Sequence, residues 1–166
     1  MTSQHHSHAR ILAIDPCTRG FGFVVLEGGN HLLDWGVARL YSKNDEEFLV
    51  RVDALTNRYK PTAIVVEDVA GTRKGERATR RINDLLGYAA LLDIERALVS
   101  RGEVRVILGL PYDATKYEVA RTIAKLFPEL AATLPPPRKP WQSEDERMNV
   151  YDALSLAVVI GSSIAE

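Results

Sequence analysis

Two apolar runs, residues 11–14 and 63–66, are each followed directly by a carboxylate. Short uninterrupted runs of this kind are typical of strands buried in a parallel sheet. Burying an unpaired carboxylate is costly. Asp15 and Glu67 must therefore be exposed, paired with cations or held at the sheet edge, and this requirement constrains the fold more than any other feature of the sequence.

The patterning of the whole chain predicts five strands and four helices. The first three strands form an antiparallel meander, and capping-box patterns at Thr115/Glu118 and Ser143/Glu146 open the last two helices. We predict strands at 10–14, 20–27, 31–40, 62–67 and 103–110, and helices from Asn44, from 77 to 102, from 115 to 127 and from 143 to about 160.

This order favours an α/β fold of RNase H-like type, in which an antiparallel meander is followed by parallel strands. Alternating strands and helices imply right-handed crossovers and parallel pairing. The expected architecture is a mixed five-stranded sheet flanked by helices on both faces. Functional sites of such sheets gather at the carboxyl ends of the parallel strands.

Length and composition indicate a single domain over residues 9–166 after a disordered leader at 1–8. The alternative for the leader is a metal-binding tail formed by His5, His6 and His8. Cys17 is the only cysteine, which fits a reducing compartment. No apolar run approaches the roughly 18 residues that span a bilayer, and we expect a cytoplasmic protein without a membrane partner.

Three acids could meet in this fold. If the strands before Asp15 and Glu67 are parallel neighbours, both carboxylates lie at one sheet edge, and Asp152 interrupts an apolar helix. Oxygen ligands of this kind favour Mg²⁺, with Mn²⁺ as a substitute, and two such ions suit attack of water on a phosphodiester. The alternatives are that Asp15 forms a turn before Pro16, that Asp68 replaces Glu67 as the functional acid, or that Asp152 pairs with an arginine.

Helical spacing also predicts that Asp145, Asn149 and Asp152 share one helix face. A basic segment follows Glu67 and could bind a phosphate backbone without reading sequence; its members are Arg73, Lys74, Arg77, Arg80 and Arg81. If the segment is helical, residues 73, 77 and 80 fall on one face. A solvated helix face is the alternative.

The predicted helix from 77 to 102 carries small residues at Gly87, Ala89 and Ala90. They permit either packing on the sheet or close approach of a partner helix. Apolar residues 91, 92 and 94 extend beyond one narrow stripe, which favours a partner.

Three motifs, "ILAIDP-T-G-G", "KPTAIVVEDV" and "NVYDALSLAVV", resemble the RuvC-type Holliday junction resolvases of the RNase H-like superfamily. The resemblance covers residues 9–160. It implies a Mg²⁺-dependent endonuclease that acts as a homodimer on branched or four-way DNA and nicks symmetric strands. It also implies that Asp15, Glu67 and Asp152 are catalytic metal ligands, that Asn149 occupies a fourth metal-binding position, and that Lys116 lies near the DNA.

The chain departs from the family pattern at three positions. Cys17 replaces a glycine, Asn149 keeps an oxygen ligand without its charge, and Ala70 stands where several relatives carry an aromatic side chain that wedges into the junction. These departures leave alternatives open: an RNase H-like nuclease acting on RNA, hybrid or flap substrates, a catalytically degenerate nucleic-acid-binding protein, or an ATPase that uses "DPCTRG" as a phosphate loop.

Overall fold

The computed structural model describes residues 8–42 and 45–164. Over these residues the chain forms five strands, five α-helices and one 3-10 helix. In chain order the elements are β1 Arg10–Cys17, β2 Gly20–Glu27, β3 His31–Arg39, α1 Glu46–Tyr59, β4 Ala63–Glu67, α2 Glu76–Leu91, β5 Glu95–Val99, α3 Arg101–Ile107, α4 Lys116–Leu126, the 3-10 helix Pro128–Thr133 and α5 Met148–Ile164.

The strands form one sheet in the order β3-β2-β1-β4-β5. β1, β2 and β3 pair antiparallel, whereas β1 pairs with β4, and β4 with β5, in parallel. This confirms the predicted mixed sheet with its meander and parallel strands. None of the helices in the described ranges has the length and apolar character that crossing a membrane requires.

The two faces of the sheet are covered by different helices because side chains alternate along each strand. On β1, Ile11 and Ala13 pack with α4 and α5 in one buried cluster. Leu12 and Ile14 point the other way, into a second cluster with α1 and α2. Odd-numbered residues of β1 therefore face α5, and this alternation sets the direction of Asp15.

The fifth strand lies earlier in the chain than predicted. The helix predicted from 77 is confirmed at its start, but its predicted end at 102 was wrong: α2 ends at Leu91, Asp93 adopts a positive φ of 55°, and residues 95–99 form β5. β5 is an edge strand. Because its first two residues, Glu95 and Arg96, are charged and exposed, its sequence lacks the apolar run by which a buried strand is recognised.

The predicted strand at 103–110 was also wrong, because these residues belong mainly to the short helix α3. A capping box opens α3: the Glu103 amide donates to Ser100 Oγ over 3.2 Å and the Ser100 amide donates to Glu103 Oε2 over 2.7 Å. Val104 is the one buried residue of this helix among those described. The apolar residues of this segment therefore belong to a largely exposed helix and not to a core strand.

The capping box at Thr115 and Glu118 was predicted correctly and opens α4. The one at Ser143 was not: α5 begins at Met148, and the preceding turn is closed by Asp145, whose side chain accepts from the Arg147 amide over 2.9 Å. The proposed cap at Asn44 falls outside the described residues; Asp45 precedes α1.

Candidate active site

Asp15 lies inside β1 and not at its end. The strand continues to Cys17 because residues 15–17 pair with β2, where Gly22 is opposite Asp15. The turn expected at this aspartate is therefore displaced to residues 18–19. Pairing with β4 stops at Ala13 and Val65, so Asp15 extends past the parallel part of the strand, on the face that α5 covers. It is only 5% exposed.

Glu67 is the last residue of β4, two residues beyond the same pair on the neighbouring strand. Like Asp15 it is 5% exposed, and both line one cavity. The adjacent Asp68 serves the loop instead, since its Oδ1 accepts from the Ala70 amide over 3.1 Å. Glu67 is thus the acid that faces the cavity.

Asp152 and Asn149 reach the cavity from α5, one turn apart. The helix approaches the sheet closely here because Gly22 has no side chain: a Cβ at that position would lie 2.4 Å from the backbone carbonyl of Asn149. Asp145 does not share the helix face with them, because it precedes α5 and forms an ion pair with Arg147 over 2.7 Å.

The cavity has a volume of about 300 Å³ and collects acids from β1 and β4, from α5 and, with Glu144, from the segment before α5. Basic side chains from four further segments line it as well. They are Lys74 from the loop after β4, Arg77 from α2, Arg101 and Arg105 from α3, and Lys116 from α4.

Each acid of the cavity is paired with a cation of the chain itself. Lys74 Nζ lies 2.7 Å from Asp15 Oδ1 and 2.7 Å from Glu67 Oε2, and Arg101 Nε lies 2.7 Å from the other oxygen of Glu67. Lys116 Nζ lies 2.7 Å from Asp152 Oδ2 and also contacts Glu144. The partner of Asp152 is therefore a lysine and not an arginine.

These pairs perturb the titration of the site. Burial alone would raise the pKa of Glu67, but Lys74 and Arg101 outweigh it and the pKa is lowered. Burial would lower the pKa of Lys74, yet Asp15 and Glu67 hold it above its usual value. Burial raises the pKa of Asp152 to about 7. The charge of Asp15 also raises this pKa, whereas the Lys116 ammonium lowers it.

The donor set fits a hard divalent cation in part. Asp15, Glu67, Asn149 and Asp152 offer only oxygen ligands of the kind Mg²⁺ takes, and the first two already share one cation, the Lys74 ammonium. Within residues 8–42 and 45–164, however, no three His, Cys, Asp or Glu side chains converge as a metal-binding cluster. Asp15 and Glu67 therefore form the part of the site that fits a metal, with Asp152 across the cavity.

The basic segment divides into exposed and buried members. Arg73, Arg77 and Arg80 are exposed, although α2 begins at Glu76, so Arg73 lies before the helix and not on its face. Arg80 pairs with Glu76 and Asp45. Arg81 is only 2% exposed. Its guanidinium is enclosed by the protein, so it does not belong to a DNA-facing surface.

Arg101 and Arg105 were missed by the sequence reasoning because their segment was assigned to a helix end and a strand. They lie one turn apart on α3 and both line the cavity. The S-x-x-E pattern at Ser100 and Glu103 was the available signal. Glu144, the second partner of Lys116, carried no comparable signal.

Cys17 is half-buried and also lines the cavity. Burial raises the pKa of its thiol, and the charge of Asp15 acts in the same direction, although hydrogen bonds from the amides of residues 19 and 20 oppose the shift. A neutral thiol is a weak nucleophile and a poor metal ligand. Cys17 therefore acts as a small packed residue of the cavity wall.

No protein-family model matches the sequence, and no curated protein shows detectable similarity to it. Solved structures do match. RuvC from T. thermophilus in complex with a Holliday junction substrate aligns with a TM-score of 0.62 and 20% identity over 92% of each chain. A second Thermus thermophilus RuvC structure aligns with a TM-score of 0.62 and 18% identity over 90% of this chain and 92% of that one. At this level of identity the likeness establishes the architecture, and the chain has a RuvC-like fold of RNase H type.

Proposed function

We propose that this protein is a metal-dependent endonuclease that hydrolyses phosphodiesters of branched DNA, in the manner of a Holliday junction resolvase. The observation that carries the proposal is the pairing of Asp15 and Glu67 around a single cation, with Asp152 on the same cavity. The RuvC-like fold supports it, since one of the aligned structures is a complex with a Holliday junction.

Asp15 and Glu67 would hold the metal, with Asn149 and Asp152 completing its oxygen ligands. A bound Mg²⁺ or Mn²⁺ supplies activation of a water nucleophile and stabilisation of the leaving oxygen. Asn149 contributes no charge, so we expect a second ion on its side of the cavity to bind more weakly than the first. Lys116 holds Asp152 in place over 2.7 Å.

The cations around the cavity provide a path for a phosphate backbone. Arg77 is exposed and lines the cavity, and Arg73 and Arg80 lie exposed in the same segment. Arg101 and Arg105 border the cavity from α3. Such contacts position DNA without reading its sequence, and we place the DNA across these two segments.

Symmetric nicking of a four-way junction requires two active sites, and we propose a homodimer. The end of α2 supports this assembly, because Leu91 is 88% exposed and Leu92 is 49% exposed. Gly87 and Ala90 on the same helix are exposed as well, whereas Ala89 is buried against the sheet. An exposed stripe of small and apolar residues suits close approach of a second helix.

A second candidate is a nucleic-acid-binding protein without nuclease activity. The ion pairs favour it, because every acid of the site is neutralised by Lys74, Arg101 or Lys116. A nuclease acting on RNA, hybrid or flap substrates would share the same acids. Cleavage assays separate these alternatives.

The test is cleavage of a labelled four-way DNA junction with Mg²⁺ or Mn²⁺, beside linear duplex, RNA–DNA hybrid and an EDTA control. We expect paired, metal-dependent nicks in the junction. Asp15→Asn should abolish these nicks, while a cooperative thermal unfolding transition shows that the variant is folded. The matched control is Asp68→Asn, which alters an adjacent acid outside the cavity and should keep activity.

Junction binding without cleavage would replace the proposal with the binding module. Cleavage of the hybrid alone would keep the metal site and change the substrate. Retained metal-dependent cleavage by Asp15→Asn would refute the assignment of the site.

A further inference from the structure

Lys74 occupies the position between the two central carboxylates. Its Nζ is 2.7 Å from Asp15 Oδ1 and 2.7 Å from Glu67 Oε2, a symmetric bridge between neighbouring strands. The Lys74 side chain is 15% exposed, whereas the side chains of the two acids are 7% and 6% exposed. A lysine from a surface loop is thus held inside the site by two buried acids.

The loop that carries Lys74 is otherwise directed to solvent. It spans residues 68–75 between β4 and α2, and most of its residues are exposed. Gly71 has a positive φ of 72°, and apart from its two chain neighbours no described residue has an atom within 4 Å of where its Cβ would be. The described contacts that tie the second half of this loop to the sheet are therefore those of the Lys74 ammonium with the acids.

A metal ion and the Lys74 ammonium need the same oxygens. Crowded carboxylates require a cation to offset their repulsion, and here the ammonium supplies that charge. A divalent cation ligated by Asp15 and Glu67 would be repelled by an ammonium left between them. Binding of the metal therefore requires Lys74 to leave.

We propose that Lys74 is a resident cation that competes with the divalent metal for Asp15 and Glu67, and that its displacement makes it available to a DNA phosphate. The inference rests on the proposed function. Arg73 and Arg77, which flank Lys74 in the sequence, are exposed and would bring the backbone to the released ammonium. Metal and DNA binding are then coupled, and each strengthens the other.

The direct test is calorimetric titration of Mn²⁺ into the metal-free protein and into Lys74→Gln. The glutamine is neutral and keeps hydrogen-bonding groups for the two acids. We expect its Mn²⁺ Kd to be about tenfold lower than that of the wild type, a typical size for coupling between sites. Lys74→Arg keeps the competing charge and should retain the wild-type Kd. The matched control is Lys125→Gln, because Lys125 is an exposed lysine that does not line the cavity.

A second arm measures the coupling to DNA with Ca²⁺ as the divalent probe and fluorescence anisotropy of a four-way junction whose integrity is checked on a gel. Ca²⁺ should tighten DNA binding more in the wild type than in Lys74→Gln, because only the wild type releases a cation. If Lys74→Gln folds poorly, thermal unfolding with and without Mn²⁺ replaces calorimetry, and the larger stabilisation by Mn²⁺ should be in the variant.

The outcomes separate the two proposals. Equal or weaker Mn²⁺ binding by Lys74→Gln, with clear binding by the wild type, overturns the competition and leaves the nuclease proposal intact. Absence of Mn²⁺ binding in both proteins overturns the metal-dependent function and the competition with it. Tighter binding in Lys74→Gln and in Lys125→Gln alike would show a general charge effect and also overturn the role of Lys74.

Discussion

Arg81 should be a determinant of stability and not of DNA binding, and Arg81→Met tests this directly. Its side chain is 3% exposed. The Nη1 group donates to the Cys17 carbonyl over 2.7 Å and to the Gly20 carbonyl over 3.4 Å, and Nε donates to Asp45 over 3.1 Å. The guanidinium also lies 5.8 Å from the centre of the Phe48 ring. It thus clamps the turn that closes β1, two residues beyond Asp15.

Removing Arg81 leaves the Cys17 and Gly20 carbonyls without this donor, and it leaves Asp45 with only its exposed partner Arg80 among the described contacts. Breaking a buried charged pair by deleting one partner costs about 3 to 5 kcal/mol. We expect the free energy of unfolding of Arg81→Met to fall by about that amount. The matched control is Arg80→Met: Arg80 is the neighbouring arginine, its side chain is 57% exposed, and it also pairs with Asp45. Exposed pairs of this kind contribute less than about 1 kcal/mol.

The assay is equilibrium unfolding in urea for the wild type and both variants at one ionic strength. A difference between the two variants of less than about 1 kcal/mol would refute the assignment of Arg81 as a buried clamp. Junction affinity provides an independent check. Arg80→Met should weaken it, while Arg81→Met under folding conditions should leave it nearly unchanged.

Three further predictions concern other parts of the fold. Gly22→Ala should destabilise the protein by about 1 to 3 kcal/mol, because the new Cβ would meet the Asn149 backbone at 2.4 Å; urea unfolding measures it, and an unchanged midpoint would contradict the contact. Gly87→Ala should stabilise α2 by about 0.5 to 1 kcal/mol in the same assay at a protein concentration that keeps the chain monomeric, since no described residue outside its own helix lies within 4 Å of that Cβ; a loss of stability there would contradict the prediction. The Thr115 amide lowers the pKa of Glu118 from 4.5, so the stability that this carboxylate adds is present above pH 4.5 and is lost as the pH falls through the lowered pKa. The difference in unfolding free energy between wild type and Glu118→Gln should therefore shrink on acidification, and a pH-independent difference would contradict it.

Much of the site was accessible from the sequence because local patterns encode it. An apolar run followed by an acid indicates a strand with a carboxylate near its end, and two such runs predicted that Asp15 and Glu67 lie at one edge of the sheet. In the structure both side chains line one cavity. The apolar periodicity around Asp152 placed a third acid on a helix. The capping box at Thr115 located α4 to the residue.

The assignments of β5 and α3 failed because both elements are largely exposed to solvent, so the local hydrophobic pattern does not decide their structure. β5 is short and half-exposed, so its sequence lacks the apolar run of a core strand. α3 contains several apolar residues, yet one of them, Val106, is 78% exposed to solvent. Both errors arise because edge strands and short surface helices are stabilised by tertiary contacts with neighbouring elements. The hydrophobic periodicity of the sequence contains no information about those contacts.

The sequence by itself therefore determined the antiparallel meander, the strands β1 and β4 and the three acids that they and α5 carry, because strand alternation and helix capping are local properties. Only the tertiary structure decided which cations those acids contact. Lys74, Arg80 and Arg81 look alike in a basic segment, but one bridges two carboxylates, one is exposed and one is buried. Their environments differ because each points toward a different surface of the packed sheet and helices, and that placement sets the electrostatics of the site.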